Sequence, residues 1–331
     1  MKRRLLEHLV CPGCFQTFTL TGAEVIDHEV MEGRLECVGC GRLFLIAGGV
    51  PQLVLDAVDV TKARTAASFG FLWSRTTDRA AHGGAHSTKT IGALSLPLPE
   101  GITLDAGCGD GSDVAALAGQ AAGEVVGVDI SHGGTRAAFE RTGALPNAHV
   151  VRADLCRLPF RTSQFTFIYS YGVLHHVPVP LEAMAELARV SQPGGRAAIY
   201  LYEDFSERAP LLRWSLRAAN VWRVLTTRLP PPLLYALCVA AAPFVYVGFT
   251  LPHKLLNCVP FCRSVAAGIP FRHGRGPFDL TGDLYDRFSA PVEFRYSRHT
   301  AAQLARDAGF SVRQIHYERG WMLELRRETV R

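Results

Sequence analysis

The stretch TLDAGCGDG, residues 103–111, decides the fold of this chain. Its apolar start leads into Asp105, and glycines follow at 107, 109 and 111. Further along, VVGVDIS forms a second apolar run that includes Asp129. Glycines let a backbone turn tightly and approach a ligand, and an acid about 20 residues further on can accept hydrogen bonds from ribose hydroxyls. The pattern therefore predicts strand, glycine turn, helix and strand around a nucleoside-binding crevice.

The same stretch resembles the first motif of the class I S-adenosylmethionine (SAM)-dependent methyltransferases, in which an acid and a small residue precede G-x-G-x-G. Dinucleotide-binding proteins instead space their glycines as G-x-G-x-x-G, and usually carry a hydrophobic residue where Asp105 stands. The resemblance implies SAM as the cofactor and an α/β, Rossmann-like fold. Its sheet would be mainly parallel and seven-stranded, with helices on both faces.

Alternating apolar strands and helical segments run from Ile102 to the strand PGGRAAIYLY. Such alternation predicts a parallel sheet covered on both faces, with ligands bound beyond the carboxyl ends of its strands. Residues 101–202 are therefore the predicted SAM-binding core. The segment 293–331 reads as helix, strand, turn and strand, and is predicted to complete that core.

Candidate SAM contacts follow the first four strands of this core. The resemblance implies the following set: Asp105, Gly107, Cys108, Gly109, Gly111, Asp129, Ile130, Asp154, Leu155, Ser170 and Tyr171. Asp105 would orient the SAM amino group, Asp129 would bind the ribose, and Asp154 would face the adenine amino group. The alternatives are a turn acid for Asp129, a helix cap for Asp154 and simple packing for Tyr171.

The run YGVLHHVPVPLEAMAELARVSQPGGR resembles a segment of quinone and small-molecule methyltransferases, where it faces the acceptor cavity. The resemblance makes His175, His176 and Tyr171 candidate catalytic residues. Histidine suits proton removal near neutral pH, but positioning alone can suffice because a methyl sulfonium is already reactive. A structural role for both histidines therefore stays open. Val179 stands where the family has an acid, which weakens the mapping of this loop.

Two CxxC pairs precede the core: Cys11 with Cys14, and Cys37 with Cys40. Four thiolates aimed at one point satisfy tetrahedral zinc and leave no open position, so the predicted zinc is structural. Buried or redox-active thiols are the alternative.

The chain has 331 residues, nine cysteines and a net charge of +5, and its start does not read as a signal peptide. Reduced thiols and a cytoplasmic location are therefore expected.

The segments LLEHLVCPGC and LECVGCGRLFLIAGGVPQLV resemble small zinc-ribbon proteins related to the activator subunit of tRNA and protein methyltransferases. Residues 1–56 are therefore predicted to be a zinc-ribbon domain that packs on or steadies the catalytic domain. Contact with RNA stays open, although the domain carries few Lys or Arg.

Residues 57–100 would be a linker whose stretch SFGFLWSR caps the SAM pocket, or simply packs on the sheet. His82 and His86 would lie in a loop.

Residues 203–292 fit the core pattern poorly and are predicted to be a helical insertion that binds the acceptor. No residue from 229 to 252 is charged. A buried or pocket-lining helical cap is the favoured interpretation. The alternatives are a surface that docks on a membrane or on an apolar substrate, and a transmembrane helix. Candidate loop and cavity residues complete the segment: Arg272, His273, Arg275, Tyr285, Asp286 and Arg287.

These patterns together predict a SAM-dependent methyltransferase with structural zinc. Its acceptor would be a small molecule, apolar or lipid-linked. Methylation of ribosomal or transfer RNA, with the ribbon docking on the RNA, is one alternative, and a non-catalytic SAM-binding scaffold is another. Peripheral contact with a membrane stays open.

Overall fold

The computed structural model describes residues 1–55, 59–75, 86, 98–208, 210–269, 271 and 276–328. The chain divides into two compact units. The first comprises Met1–Arg213 with Val292–Arg331, and the second is Trp214–Pro291. The second unit lies wholly within the predicted insertion, residues 203–292.

The zinc ribbon opens with a 3-10 helix, Arg3–Glu7, and continues as an antiparallel sheet. Its strands follow one another in space in chain order: β1 Phe18–Ile26, β2 Glu29–Cys37, β3 Leu43–Ala47 and β4 Val50–Pro51.

The core sheet has seven strands in the order β10-β11-β9-β8-β5-β6-β7. Their bounds are β5 Thr103–Ala106, β6 Val125–Asp129, β7 Ala148–Arg152, β8 Phe165–Tyr171, β9 Ser191–Leu201, β10 Phe310–Tyr317 and β11 Trp321–Arg327. Neighbours from β7 to β9 run parallel, whereas β11 is antiparallel to both β9 and β10. The predicted mainly parallel, seven-stranded sheet is confirmed.

Helices of the first unit precede the sheet or connect its strands. They are α1 Val60–Trp73, α2 Ser112–Ala118, α3 His132–Thr142, α4 Pro180–Val190 and α10 Arg298–Asp307. The carboxylate of Asp59 caps α1 by accepting hydrogen bonds from the backbone N–H groups of Thr61 and Lys62. Ser297 and Thr300 form a reciprocal capping box on α10.

A further helix, α5 Pro210–Thr226, begins in the first unit and continues into the second. The rest of the second unit is also helical: α6 Pro231–Val245, α7 Leu251–Asn257, α8 Arg263–Gly268 and α9 Thr281–Ser289. A π-helical turn, Tyr246–Thr250, joins α6 to α7 without a break. This composition accounts for the poor fit of the segment to a strand–helix pattern.

The ribbon and the core sheet share one hydrophobic core, which includes Leu5 and Leu35 of the ribbon and Leu104 of β5. Backbone hydrogen bonds cross between them, because Val10 N–H donates to Pro159 O over 2.9 Å and Leu53 N–H donates to Arg152 O over 2.8 Å. The ribbon therefore packs on the catalytic core, as the resemblance implied.

Candidate functional site

The glycine turn after β5 has room for glycine only. Gly107 and Gly109 have φ of 93° and 51°, a region that side chains rarely adopt. A Cβ atom on Gly107 would lie 2.2 Å from the side chain of Val173, and one on Gly109 would lie 2.9 Å from Trp73. Gly111, with φ of 77°, precedes α2. The turn therefore requires glycine at 107 and 109, because Val173 and Trp73 pack closely against its backbone.

Asp105 is a buried acid beside this turn, with 2 % of its surface exposed. Its Oδ2 has no hydrogen-bond partner among the residues that the structure describes. Burial raises the pKa of Asp105 well above its usual range, and the nearby acids Asp113, Asp129 and Asp110 raise it further. An ammonium group placed here would gain both a hydrogen-bond acceptor and an opposing charge. The site thus fits the amino group of SAM.

Asp129 ends β6 and reaches back to the glycine turn. Its Oδ2 accepts a hydrogen bond from Gly109 N–H over 3.1 Å, and its Oδ1 accepts two from Ser131, over 2.7 Å from N–H and 2.6 Å from Oγ. Burial raises the pKa of Asp129, and these hydrogen bonds oppose the rise. Half-buried Ile130 follows it. The acid is fixed at the turn, and its contact with a ribose stays a prediction.

Asp154 lies just beyond β7 and has a partner that sequence reasoning missed. Its Oδ2 lies 2.6 Å from Nζ of Lys62 on α1, and its Oδ1 accepts a hydrogen bond from Cys156 N–H over 2.9 Å. Although burial opposes the charge, the ion pair raises the pKa of Lys62. No local motif indicates this pair, because its members are 92 positions apart. The expected contact of Asp154 with adenine, and of buried Leu155 beside it, stays a prediction.

Ser170 and Tyr171 end β8. The Ser170 hydroxyl donates to Ala106 O over 2.8 Å, so it ties β8 to β5. The Tyr171 ring stacks on Tyr200 and on His86, each with ring centroids 4.3 Å apart. Burial raises the pKa of Tyr171 to about 12, so its phenol stays protonated at neutral pH. As a neutral hydroxyl it can donate a hydrogen bond but is not suited to act as a base.

His175 and His176 lie in the 3-10 turn Leu174–His176 after β8. Their exposed fractions are 0 % and 5 %. The His175 ring stacks on Tyr202 with centroids 3.7 Å apart, and Nδ1 of His176 lies 2.8 Å from Val292 O. Both histidines are thus held inside the first unit. This geometry favours the structural role that the sequence left open, and a role as base stays a prediction.

The end of α1 lies over this edge of the sheet. Trp73 packs against Gly109, and the Phe69 ring lies 5.1 Å from His176. One face of the helix therefore contacts both the glycine turn and the loop after β8, which is where a segment that caps the SAM pocket would lie. His82 is outside the residues that the structure describes.

Six further predicted positions lie in the predicted insertion, and three of them, Tyr285, Asp286 and Arg287, are on α9. Arg272, His273 and Arg275 are also outside the described residues. Tyr285 is fully buried and packs against Tyr235 within the second unit, with ring centroids 5.8 Å apart. It therefore serves the packing of that unit.

The four ribbon cysteines come together. The Sγ atoms of Cys11, Cys14, Cys37 and Cys40 all lie within 4.8 Å of one another. Two of the separations are 3.8 Å for Cys11–Cys40 and 3.3 Å for Cys14–Cys37. These separations suit sulfurs bound to one tetrahedral zinc at about 2.3 Å. Four thiolates complete the coordination, so the zinc is structural.

Donors around this cluster would stabilise the thiolates. Gly13 N–H donates to Cys11 Sγ over 3.4 Å, and the Arg42 guanidinium donates to Cys40 Sγ over 3.3 Å. Hydrogen bonds of this kind orient metal ligands and offset their negative charge.

Two family models match the chain. A methyltransferase-domain model matches residues 104–199, and a Trm112p-like protein model matches residues 2–49. The first begins in β5 and ends in β9, so it covers the glycine turn and the ends of β6, β7 and β8. The second covers the zinc ribbon with all four of its cysteines.

One curated relative is matched over more than two thirds of its own length. The chain is 32 % identical over 163 residues to the 2-phytyl-1,4-naphtoquinone methyltransferase of Thermosynechococcus vestitus, covering 47 % of this chain and 71 % of that one. The chain belongs to the SAM-dependent methyltransferases. Its amino-terminal domain is a Trm112-like zinc ribbon fused to the methyltransferase fold.

Other relatives share shorter stretches with this methyltransferase. It is 36 % identical over 94 residues to a demethylmenaquinone methyltransferase of Staphylococcus aureus, of which it covers 39 %. It is 38 % identical over 115 residues to a transposon protein of Streptomyces fradiae, of which it covers 33 %. These matches cover 28 % and 34 % of this chain. The methyltransferase thus spans well under half the length of these two relatives.

Among solved structures, the methyltransferase is similar to a complex of the Haloferax volcanii Trm112 methyltransferase activator with a methyltransferase. The TM-score is 0.49 at 15 % identity, and the match covers 81 % of this chain and 98 % of that one.

Proposed function

We propose that this methyltransferase transfers the SAM methyl group to an apolar, planar small-molecule acceptor. The observation that carries the proposal is an aromatic cluster at the ends of β8 and β9. Tyr171 and Tyr200 stack almost parallel, at an interplanar angle of 9°, and His175 stacks on Tyr202. Tyr200 and His86 cover the two faces of the Tyr171 ring, so a conjugated ring of the acceptor would pack against the half-buried edges of Tyr171 and Tyr202.

The relative from Thermosynechococcus vestitus supports this class of acceptor, since its name specifies a phytyl naphthoquinone. Such a molecule is both planar and strongly apolar. For this chain the proposal extends to the chemical class and not to a particular quinone.

The glycine turn and its acids would hold SAM beside this cluster. Asp105 would pair with the amino group, the backbone of Gly107 and Gly109 would approach the methionine part, and Asp129 would bind the ribose. When bound, SAM supplies a methyl group that is attached to a positively charged sulfur. That sulfur is a good leaving group, because it becomes a neutral thioether when the methyl group is transferred. The task of the protein is then to align the acceptor atom with that methyl group and to exclude water.

His175 and His176 would hold the loop that borders the acceptor. A base and a positioning residue can be told apart by the pH dependence of the rate. We expect His175→Gln and His176→Gln to lower kcat without moving the pH profile, because their burial and packing contacts serve the loop. Loss of the acidic limb of the profile in either variant would identify a general base instead.

The charge of the ribbon argues against RNA as the acceptor. Residues 1–55 carry five Lys and Arg and six Asp and Glu. Lys2 lies 2.7 Å from Glu29, and Arg4 lies 2.6 Å from Glu124, so two of the five cations are neutralised within the protein. A domain that docks on RNA presents a basic surface, which this domain lacks. A scaffold that binds SAM poorly is disfavoured by the glycine turn and by Asp105, whose Oδ2 has no hydrogen-bond partner among the described residues.

The expected place of action is the cytoplasm. The nine cysteines, all of which the structure describes, form no disulfide, which suits a reducing compartment.

The test is to incubate the protein with methyl-labelled SAM and an extract of the cells that produce it, and then to separate apolar solvent extract, water-soluble small molecules and RNA. We expect label in the apolar extract, and much less there with the Asp129→Ala variant when SAM is limiting. Label that depends on the enzyme but appears in RNA would overturn the proposed acceptor. No enzyme-dependent label in any fraction would favour the scaffold.

A further inference from the structure

The second unit exposes a long apolar helix. Pro231–Asn257, which comprises α6, the π turn and α7, is long and apolar enough to cross a membrane by length and composition, and 22 % of its most apolar window is buried. Most of the surface of this helix is therefore exposed, so the expectation of a buried helix is wrong there, whereas a helical cap that lines a pocket stays a prediction. Large exposed side chains follow one another at intervals of three, four or seven residues: Leu233, Leu237, Phe244, Val247, Leu251 and Leu255. At about 100° per residue they form a single stripe.

A different face of the same helix supplies the packing of the unit. Leu234, Cys238 and Ala242 are buried, at intervals of four residues. Tyr235 meets Tyr285 of α9, which packs along α6. The exposed stripe is therefore not needed to hold the second unit together. A contiguous apolar surface of this kind on a folded unit marks a binding surface.

The charge around the stripe is mainly positive. Between Arg208 and Phe278 the chain has no Asp or Glu. The whole second unit, residues 214–291, carries eight Lys and Arg against three Asp and Glu, so its net charge is +5. The net charge of the whole chain is also +5. The remaining residues are therefore neutral in sum. The positive charge of the protein is concentrated in the unit that carries the apolar stripe.

Aromatic and basic residues accompany the stripe on neighbouring segments. Trp214 and Trp222 of α5 are 64 % and 62 % exposed, and Phe261 is 85 % exposed. The guanidinium of Arg217 lies 5.0 Å from the Trp214 ring centroid. Tryptophan and arginine together suit the boundary between lipid headgroups and acyl chains, where an apolar ring and a cation each find their preferred surroundings.

We propose that the second unit docks on an anionic lipid bilayer, with the α6–α7 helix lying in the plane of the membrane surface. The apolar stripe would enter the acyl boundary, and Arg217, Arg228 and Lys254 would meet anionic headgroups. A single crossing is excluded by the sheet of the first unit. β9 precedes the second unit and β10 follows it, and both pair with β11 in one sheet. The chain before and after the second unit must therefore lie on the same side of a membrane. If the function proposed above holds, the docked enzyme would take its apolar acceptor directly from the same bilayer.

The experiment measures co-sedimentation of the full-length protein with vesicles, without SAM or acceptor, so it tests docking separately from catalysis. Vesicles of phosphatidylcholine alone are compared with vesicles that also contain phosphatidylglycerol. We expect binding to the anionic vesicles that weakens as salt is raised, and much weaker binding to the neutral ones.

Two pairs of variants separate the apolar and the electrostatic contributions. Phe244→Ser with Phe261→Ser, and separately Arg217→Glu with Arg228→Glu, should each weaken binding about tenfold or more. Matched changes on exposed residues of the first unit should leave binding unchanged: Val38→Ser with Leu43→Ser, and Arg34→Glu with Arg313→Glu. Thermal unfolding confirms that each variant is folded.

Three results would overturn the proposal. The first is no binding to either kind of vesicle, or equal loss in the matched controls. The second is protein that resists release by high salt and alkaline carbonate, which would indicate a spanning helix. The third is that the protein forms a dimer in solution, that Phe244→Ser dissociates this dimer, and that the protein does not bind vesicles. This result would show that a second copy of the chain covers the stripe.

Discussion

The carboxylate of Asp129 accepts a hydrogen bond from the backbone N–H of Gly109, over 3.1 Å and across twenty positions of the chain. This bond joins the end of β6 to the glycine turn after β5. The two features that the sequence marks as a nucleoside site are therefore physically coupled. A change in the acid should disturb the turn as well as any ribose that the acid holds.

Replacing Asp129 with alanine should weaken SAM binding about ten- to a hundredfold, since hydrogen bonds to a charged group contribute about 1.5–3 kcal/mol. Isothermal titration calorimetry with SAM measures the change. Glu140→Ala, on the exposed surface of α3, is the control and should bind SAM as the wild type does. Unchanged affinity in Asp129→Ala would remove this residue from the site.

Replacing Asp105 with asparagine should stabilise the SAM-free protein at neutral pH and weaken its binding of SAM. Burial and nearby acids raise the pKa of Asp105 in the folded state, so ionisation of the carboxyl costs folding free energy. That cost is absent below the pKa of the unfolded chain and reaches its full size above the raised pKa of the folded protein.

The advantage of Asp105→Asn in free energy of unfolding should therefore grow as pH rises from the pKa of the unfolded chain, and level off above the raised pKa of the folded protein. Urea unfolding at a series of pH values checks this. A variant that is less stable than the wild type at neutral pH would show that the carboxylate is satisfied in the free protein.

Replacing Gly107 with alanine should destabilise the first unit by about 2 kcal/mol or more, because the new Cβ would meet Val173 and the backbone would be strained. Gly248→Ala is the matched control, since a Cβ there has open space and Gly248 lies in a helical turn. It should cost nothing and can stabilise by up to about 1 kcal/mol. Urea unfolding compares them, and equal stabilities would refute the steric argument.

Removing the zinc should destabilise the catalytic core as well as the ribbon, because both contribute to one hydrophobic core. Cys37→Ser should lose the metal and lower the free energy of unfolding by more than about 3 kcal/mol. Zinc content by mass spectrometry and urea unfolding measure the two effects. Cys258→Ser, an exposed thiol of the second unit, should retain zinc and stability. Full zinc content in Cys37→Ser would contradict the four-cysteine site.

The sequence by itself determined the features that depend on local spacing. Period-two and helical apolar patterns, with glycines at 107, 109 and 111, predicted the order of strands and helices of the core and the edge of the sheet that carries the site. The spacing of two CxxC pairs predicted the metal cluster. These patterns are informative because steric limits on the backbone and the geometry of ligands act within a few residues.

Only the tertiary structure decided which distant groups meet. It paired Lys62 with Asp154, directed the Ser170 hydroxyl to Ala106, and enclosed His175 and His176. It also left most of the α6–α7 helix exposed, where hydropathy alone fits a buried, docking or spanning helix equally well. The physical reason is that burial and pairing depend on which surfaces the folded chain brings together, and residue spacing carries no record of that.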